Sequence, residues 1–419
     1  MPVKRSGARA FSRWRAGVLV GVTAAAWGGC NGIVGNQSAS LSLPSDGSVP
    51  LDAGVDGVGP LDSGGGGGEA GVDGDAALPP GDGGCAGDIS CDSHNCGAIG
   101  HDCLGGACTG GLCPLIVLAN SQISPDGVAV DDQYVFWTNA GSSQLGYTDG
   151  SVHRASNVDG SNPMAIAVAQ NSPSSIALDT ADVYWCNYGT GDIVMSAKDG
   201  SGNRTLAAGI LNVSAIALDP PRIYAGVVIN ASVDGGNGSV GSIPEDGGSY
   251  LTLSAGQFNP QSILFDMVSS HLFWANYGSY ADGSGGSIES RAVSGFGSPQ
   301  RLAGATGATQ VAYDGTNLYW NNSRPIDGGS IGTVSADGGG GAYVVSSLAG
   351  PGGVAVDAVH VYYADAGTIW RVLKNGTERL ALATNQNQPG FVVTDDSYVY
   401  WADVGSTQQQ NGEVVKVAK

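Results

Sequence analysis

The chain has 419 residues, 70 of them Gly, with 13% charged residues and a formal net charge of −20 at pH 7. So few charges with so much Gly argue against a helical protein and for short strands joined by turns. No Lys or Arg falls between Arg15 and Arg154, and an acidic, basic-poor surface repels phosphate backbones, so nucleic acid is excluded as an expected partner.

Taken in chain order, residues 1–29 hold five basic residues (Lys4, Arg5, Arg9, Arg13, Arg15) and no acid. A short apolar run, AGVLVGVTAAAW, follows over residues 16–27, and then Gly28-Gly29-Cys30. A basic region, an apolar region and small residues read as a secretory signal, and the apolar run is too short to span a bilayer. The stretch Trp27-Gly28-Gly29-Cys30 resembles a bacterial lipobox, with Trp27 where that motif carries an aliphatic residue. The resemblance implies a lipid on Cys30 and a place at the outer membrane or cell surface of a Gram-negative envelope. The alternative is an ordinary cut after Ala24-Ala25-Ala26, which leaves Cys30 unmodified and the protein periplasmic or secreted. Residues 30–84 are Gly-, Asp- and Pro-rich with no aromatic residue, and cannot bury a core. As a Gly-rich tether they would have a root-mean-square reach of about 40 Å.

Six Cys then fall close together: Cys85, Cys91, Cys96, Cys103, Cys108 and Cys113. In an exported chain an even number of clustered Cys reads as a disulfide framework, here three bonds whose connectivity stays open. A zinc site using His94 and His101 is the alternative, although no CxxC pair occurs. The segment 85–113 resembles short Cys-rich modules of bacterial surface proteins, and a stapled spacer is expected.

From residue 114 one unit recurs seven times, beginning GVAVDDQYVFWTN, SIALDTADVYWCN, AIALDPPRIYAG, SILFDMVSSHLFWAN, QVAYDGTNLYWNN, GVAVDAVHVYYAD and FVVTDDSYVYWAD. Asp131, Asp179, Asp219, Asp314, Asp357 and Asp395 each precede the aromatic slot by six residues; Asp266 precedes Trp274 by eight. Trp137 and Trp401 lie 264 residues and six repeats apart, which gives 44 per step. That period, with short strands between Gly turns, predicts an all-β, seven-bladed β-propeller over residues 114–419. In each blade the apolar triplet before Asp is strand A, nearest the axis. The aromatic segment is strand B, and strands C and D lie outside it. The last copy stops at its strand C, so residues 114–118 are expected to supply strand D and close the ring.

These motifs resemble YWTD and NHL propeller repeats, most directly at Tyr184-Trp185-Cys186-Asn187 and Tyr400-Trp401-Ala402-Asp403. The third copy departs, with Ala225 in the Trp slot. The resemblance implies a rigid scaffold or a binder of proteins, peptides or RNA; some related propellers are lyases or lactonases.

A residue found in every blade is a fold determinant, so the seven Asp residues are expected to cap the A–B turns rather than bind metal. Asn139, Asn187, Asn276, Asn322, Asp365 and Asp403 take the same reading, the strand-B aromatics are expected between blades, and Cys186 is expected to be a buried thiol. No Ser-His-Asp or His-rich constellation can be read, so no catalytic residue, cofactor or metal is expected. Specificity should lie where the copies differ, in the B–C and D–A loops, which bring Tyr188, Phe258, Tyr277, Tyr280 and Arg324 towards one face. Asn-Tyr-Gly at Tyr188 and Tyr277 is expected to hold each ring outward. The resulting expectation is a monomeric, non-catalytic, envelope-anchored protein that binds a protein, peptide or glycan. An enzyme of the propeller lyase or lactonase kind is the alternative.

Overall fold

The computed structural model describes residues 31–32, 88–228, 236–279, 284–294, 297–323, 328–405 and 410–419. Cys30, Cys85, Tyr280 and Arg324 lie outside the described residues.

Seven antiparallel four-stranded sheets succeed one another along the chain. Blade two is representative, with strand A at Pro173–Leu178, B at Asp182–Asn187, C at Asp192–Ala197 and D at Arg204–Ala207. Blade one covers 125–170, three 213–257, four 260–304, five 311–348, six 351–383 and seven 389–418. Asn31–Gly32 runs parallel to strand A of blade four, opposite Ser262 and Ile263. Among the described residues no helix is long and apolar enough to cross a membrane.

The core follows from the period-two alternation of strand B between two neighbours. In blade two, Trp185 turns towards blade one and packs with Phe136, Val152 and Ile166. The adjacent Tyr184 turns the other way and packs with Val213, Ile216 and Ile243 of blade three. Trp137 and Tyr400 repeat this arrangement across the seam between blades one and seven. The aromatic residues therefore glue blade to blade, as expected.

The ring closes by pairing the strand just before the first repeat with the last strand of the last repeat, in one blade. Strand D of blade seven is Ile116–Gln122, slightly beyond the expected 114–118, and pairs antiparallel with Gly412–Ala418. Lys416 locks the seam: its buried ammonium donates to the Asn157 carbonyl at 2.5 Å and lies 3.8 Å from the Tyr398 ring centroid.

The Cys-rich segment carries Cys96–Cys108 and Cys103–Cys113 disulfides. Cys91 is also disulfide-bonded. Although the sulfurs of Cys96, Cys103 and Cys113 lie close together, they are committed to these bonds, and His101 directs Nδ1 to the Cys96 carbonyl. Cys96, Cys103, Cys108 and Cys113 belong to one apolar cluster with Tyr362, Trp401 and Val417 of blades six and seven. The described part of the segment is thus an extension of the propeller core. The segment is stapled by disulfides, as expected, and its packing against blades six and seven is an addition to that reading. Cys186 is a fully buried thiol, 3.4 Å from the Ser174 hydroxyl.

Candidate functional site

The two ends of the propeller use polar side chains differently. At the end carrying the A–B and C–D turns, the repeat Asp does two jobs with two oxygens. Asp179 Oδ1 accepts the Ala181 and Asp182 N–H groups, which closes the A–B turn, while Oδ2 accepts the Tyr184 hydroxyl at 2.9 Å. Asp314, Asp357 and Asp395 repeat both roles, with Tyr319, Tyr362 and Tyr400. In blade three Pro220-Pro221 removes turn donors, and Asp219 keeps the bond from Tyr224. The capping expectation therefore holds, and the phenol partner is an addition to it.

A second recurring contact lies within each blade and positions side chains that can cross to its neighbour. The residue after strand C donates its N–H to the A–B turn in all seven blades: Asn157, Lys198, Glu245, Val293, Ala336, Lys374 and Lys419. Three are lysines that cross to the Asp of the preceding blade: Lys198 to Asp131 at 2.8 Å, Lys374 to Asp314 at 2.7 Å and Lys419 to Asp357 at 3.0 Å. Burial opposes ionisation of Asp357, yet the N–H groups of His360 and Val359, the Tyr362 hydroxyl and Lys419 hold its carboxyl well below the usual range. His271 and His360 open strand B at this same end, as their repeat position implied.

The opposite end carries the D–A and B–C loops. In every blade the first loop residue after strand B donates its N–H to the turn before strand A. The pairs are Ala140 to Ser124, Tyr188 to Ser172, Val228 to Asn212, Tyr277 to Asn259, Ser323 to Gly307, Ala366 to Gly350 and Val404 to Gln388. Beneath them lies a Gln clasp. Gln122, Gln170 and Gln257, each ending a strand D, accept from the indole N–H of Trp137, Trp185 and Trp274 in the following blade. The same oxygens accept from Asn139, Asn187 and Asn276. Gln386 does this for Trp401 at 3.2 Å, and Trp320 uses Asn322 instead. The repeat Asn/Asp residues are therefore structural, as expected. The Gln partners, 15 residues before Trp137, Trp185 and Trp401, were legible in the sequence but belong to the preceding blade.

The described residues expected to contact a partner are on this loop-bearing end but are not uniformly exposed. Tyr277 is 9% exposed. Its turn is tied on both sides, by Tyr277 N–H to Asn259, Gly278 N–H to Phe258 and Gly307 N–H to Tyr277, so the ring is held in and not outward. Tyr188 is half-buried against the cluster containing Ile193 and Leu206. Phe258 is half-buried over Gly285, where a Cβ would come within 2.4 Å of the ring and where φ is +79°.

Sequence reasoning missed Asp126. It stands near the start of strand A in blade one, where the other blades have Ser174, Ser214, Gln261, Thr309, Gly352 and Gly390. Its side chain is half-buried, has no hydrogen-bond or ionic partner among the described residues, and is pushed by burial up to about 7. The signal available was a lone acid at an inner-strand position otherwise occupied by neutral residues.

No family model matches this chain, and no curated protein matches it. Solved structures do. A hydrazine synthase of Kuenenia stuttgartiensis is 12% identical with a TM-score of 0.56, over 71% of this chain and 96% of that one. A puromycin-hydrolysing peptidase of Mycobacterium tuberculosis is 14% identical with a TM-score of 0.55, over 71% of this chain and 51% of the peptidase, about half its length. A nidogen/laminin complex chain is 18% identical over 61% of this chain and 79% of that one, with a TM-score of 0.37. At these identities the likeness is one of fold.

Proposed function

We propose that this is a non-catalytic binding or scaffold propeller of YWTD/NHL-like type, whose loop-bearing end recognises a protein, peptide or glycan. It acts as a monomer, held at the outer membrane or cell surface by lipid on Cys30 through the tether of residues 30–84. The observation that carries this reading is the set of seven D–A to B–C hydrogen bonds. They preorganise one face before any ligand arrives, so less conformational entropy is lost on binding. The recurring polar residues are consumed in turns and clasps, which leaves residues that do not recur, Asp126 and Phe258 among them, to discriminate. The test is to display the full chain to glycan and envelope-protein arrays, then compare Phe258→Ala and Asp126→Asn on any ligand retained. Weakening by either variant in a chain that melts no lower than the wild type supports the reading. A ligand bound equally by both variants, or none retained, contradicts it. Removal of Cys30 should release the protein from membranes; a mature chain with unmodified Cys30 would refute the anchor.

A further inference from the structure

The junction between blades two and three breaks the pattern at the A–B/C–D end. The slot after strand C that holds Lys198, Lys374 and Lys419 elsewhere holds Glu245, placed by the same backbone hydrogen bond. Each of those lysines brings its ammonium to the Asp of the preceding blade and within 6 Å of the strand-B ring there: Phe136 at 5.8 Å, Tyr319 at 5.9 Å and Tyr362 at 5.4 Å. At blades two and three the ring, Tyr184, and the acid, Asp179, are both present, but the cation is replaced by a carboxylate. Glu245 Oε1 and Asp179 Oδ2 both lie 2.9 Å from the Tyr184 hydroxyl, which has a single proton to donate. Asp182 stands beside them, its carboxyl raised by burial and by Asp179 and Glu245.

A cleft of about 590 Å³ opens at this junction, lined by Asp182, Tyr184, Glu245 and Asp246, with Met195, Pro221 and Pro244 as apolar wall and Arg204 and Arg222 at its side. The Arg204 guanidinium donates to the backbone carbonyls of Asp246 and Glu245, so it does not neutralise the acids by direct pairing. Three carboxyl groups line the cleft beside two guanidinium groups, Asp179 adds a fourth acid bonded to Tyr184, and Lys198, the other cation acting on Asp182, is paired with Asp131. The precedent for what such a place accepts is internal: three other junctions fill it with an ammonium.

We propose that the cleft between blades two and three binds a primary alkylammonium group, such as a lysine side chain of a partner polypeptide. The charged end lies between Asp182 and Glu245 and against the Tyr184 ring, beside the acid, Asp179, whose equivalents Asp131, Asp314 and Asp357 hold Lys198, Lys374 and Lys419 at their own junctions. The aliphatic stem runs along Met195, Pro221 and Pro244. This site is at the opposite end from the proposed recognition face and does not depend on it.

The test is titration of the full chain with the tripeptide Gly-Lys-Gly, its acetyl-lysine counterpart and n-butylammonium, followed by calorimetry and by amide shifts. Saturable binding of Gly-Lys-Gly, weakened about tenfold or more by acetylation, is expected. Equal binding of n-butylammonium would identify a free amine rather than a polypeptide as the source of the group. Glu245→Lys supplies an internal ammonium, so it should abolish binding while raising the melting temperature. Glu245→Gln should weaken binding in a chain that melts normally. No saturation with either amine, equal binding of the acetylated peptide, or full binding by Glu245→Lys would overturn the proposal.

Discussion

The junctions of blades five and six and of blades two and three share a backbone and differ at the slot after strand C, which holds Lys374 in one and Glu245 in the other. At the first, Lys374 reaches back to Asp314, whose carboxyl is held low despite burial by turn N–H groups and by that lysine. At the second, Glu245 reaches back to a tyrosine already bonded to Asp179, and a cleft opens beside them. The comparison shows that a residue repeated in all blades builds the ring, whereas a repeat position filled by the wrong charge marks where the ring is left incomplete. Catalysis need not be invoked for any of the seven Asp residues to explain their recurrence.

The largest expected effect belongs to the seam, where the strand before the first repeat completes the last blade. Deleting residues 116–122 removes the outer strand of blade seven together with the Gln122 clasp on Trp137. Loss of about 4 kcal/mol or more in urea unfolding is expected, because strand pairing and apolar burial vanish together. An unchanged midpoint would break the comparison by showing that the seam does not depend on that strand.

Next comes Asp126, an uncompensated acid in a ring of neutral residues. Its folded pKa of about 7 lies above the ordinary 3.8, so the native state holds the proton more tightly than the unfolded chain does. The stability this contributes is complete below about pH 4 and is lost as pH rises towards 7. Asp126→Asn should match the wild type at low pH and exceed it by a few kcal/mol at pH 8. Parallel melting curves for the two proteins from pH 5 to 8 would refute the assignment.

A smaller loss is expected on removing one clasp. Gln170→Ala leaves the indole N–H of Trp185 and the amide of Asn187 without their acceptor, at a cost of about 1–3 kcal/mol. The control is Ile210, which stands 15 residues before Ala225 and has no indole to serve. Ile210→Gln should bring no comparable gain, and equal and opposite changes at the two positions would mean that the clasp is not tied to Trp.

Much of this was legible in the repeat. Asp six residues before an aromatic slot specifies an A–B turn, and alternation along strand B specifies which ring meets which neighbour. What the repeat hides is everything that crosses between copies. Lys374 and Asp314 are 60 positions apart and Lys198 and Asp131 are 67 apart, so neither pairing shows in a one-blade alignment. The burial of Tyr277 was hidden for a related reason. Asn-Tyr-Gly permits an outward ring, but the D–A turn and Gly307 hold the loop from three directions. Asp126 escaped notice because an acid before Gly in a turn-rich chain is common, and only closure of the ring makes it costly.

The central claim is that one charge at a fixed repeat position decides whether a junction is latched. It is tested most directly by melting Lys374→Glu and Glu245→Lys alongside the wild type at neutral pH and low salt. Lys374→Glu should lose about 1–3 kcal/mol, and Glu245→Lys should gain a smaller amount, with both differences shrinking as salt is added. Two losses of similar size, or two changes insensitive to salt, would contradict the account, because the slot would then act through packing alone.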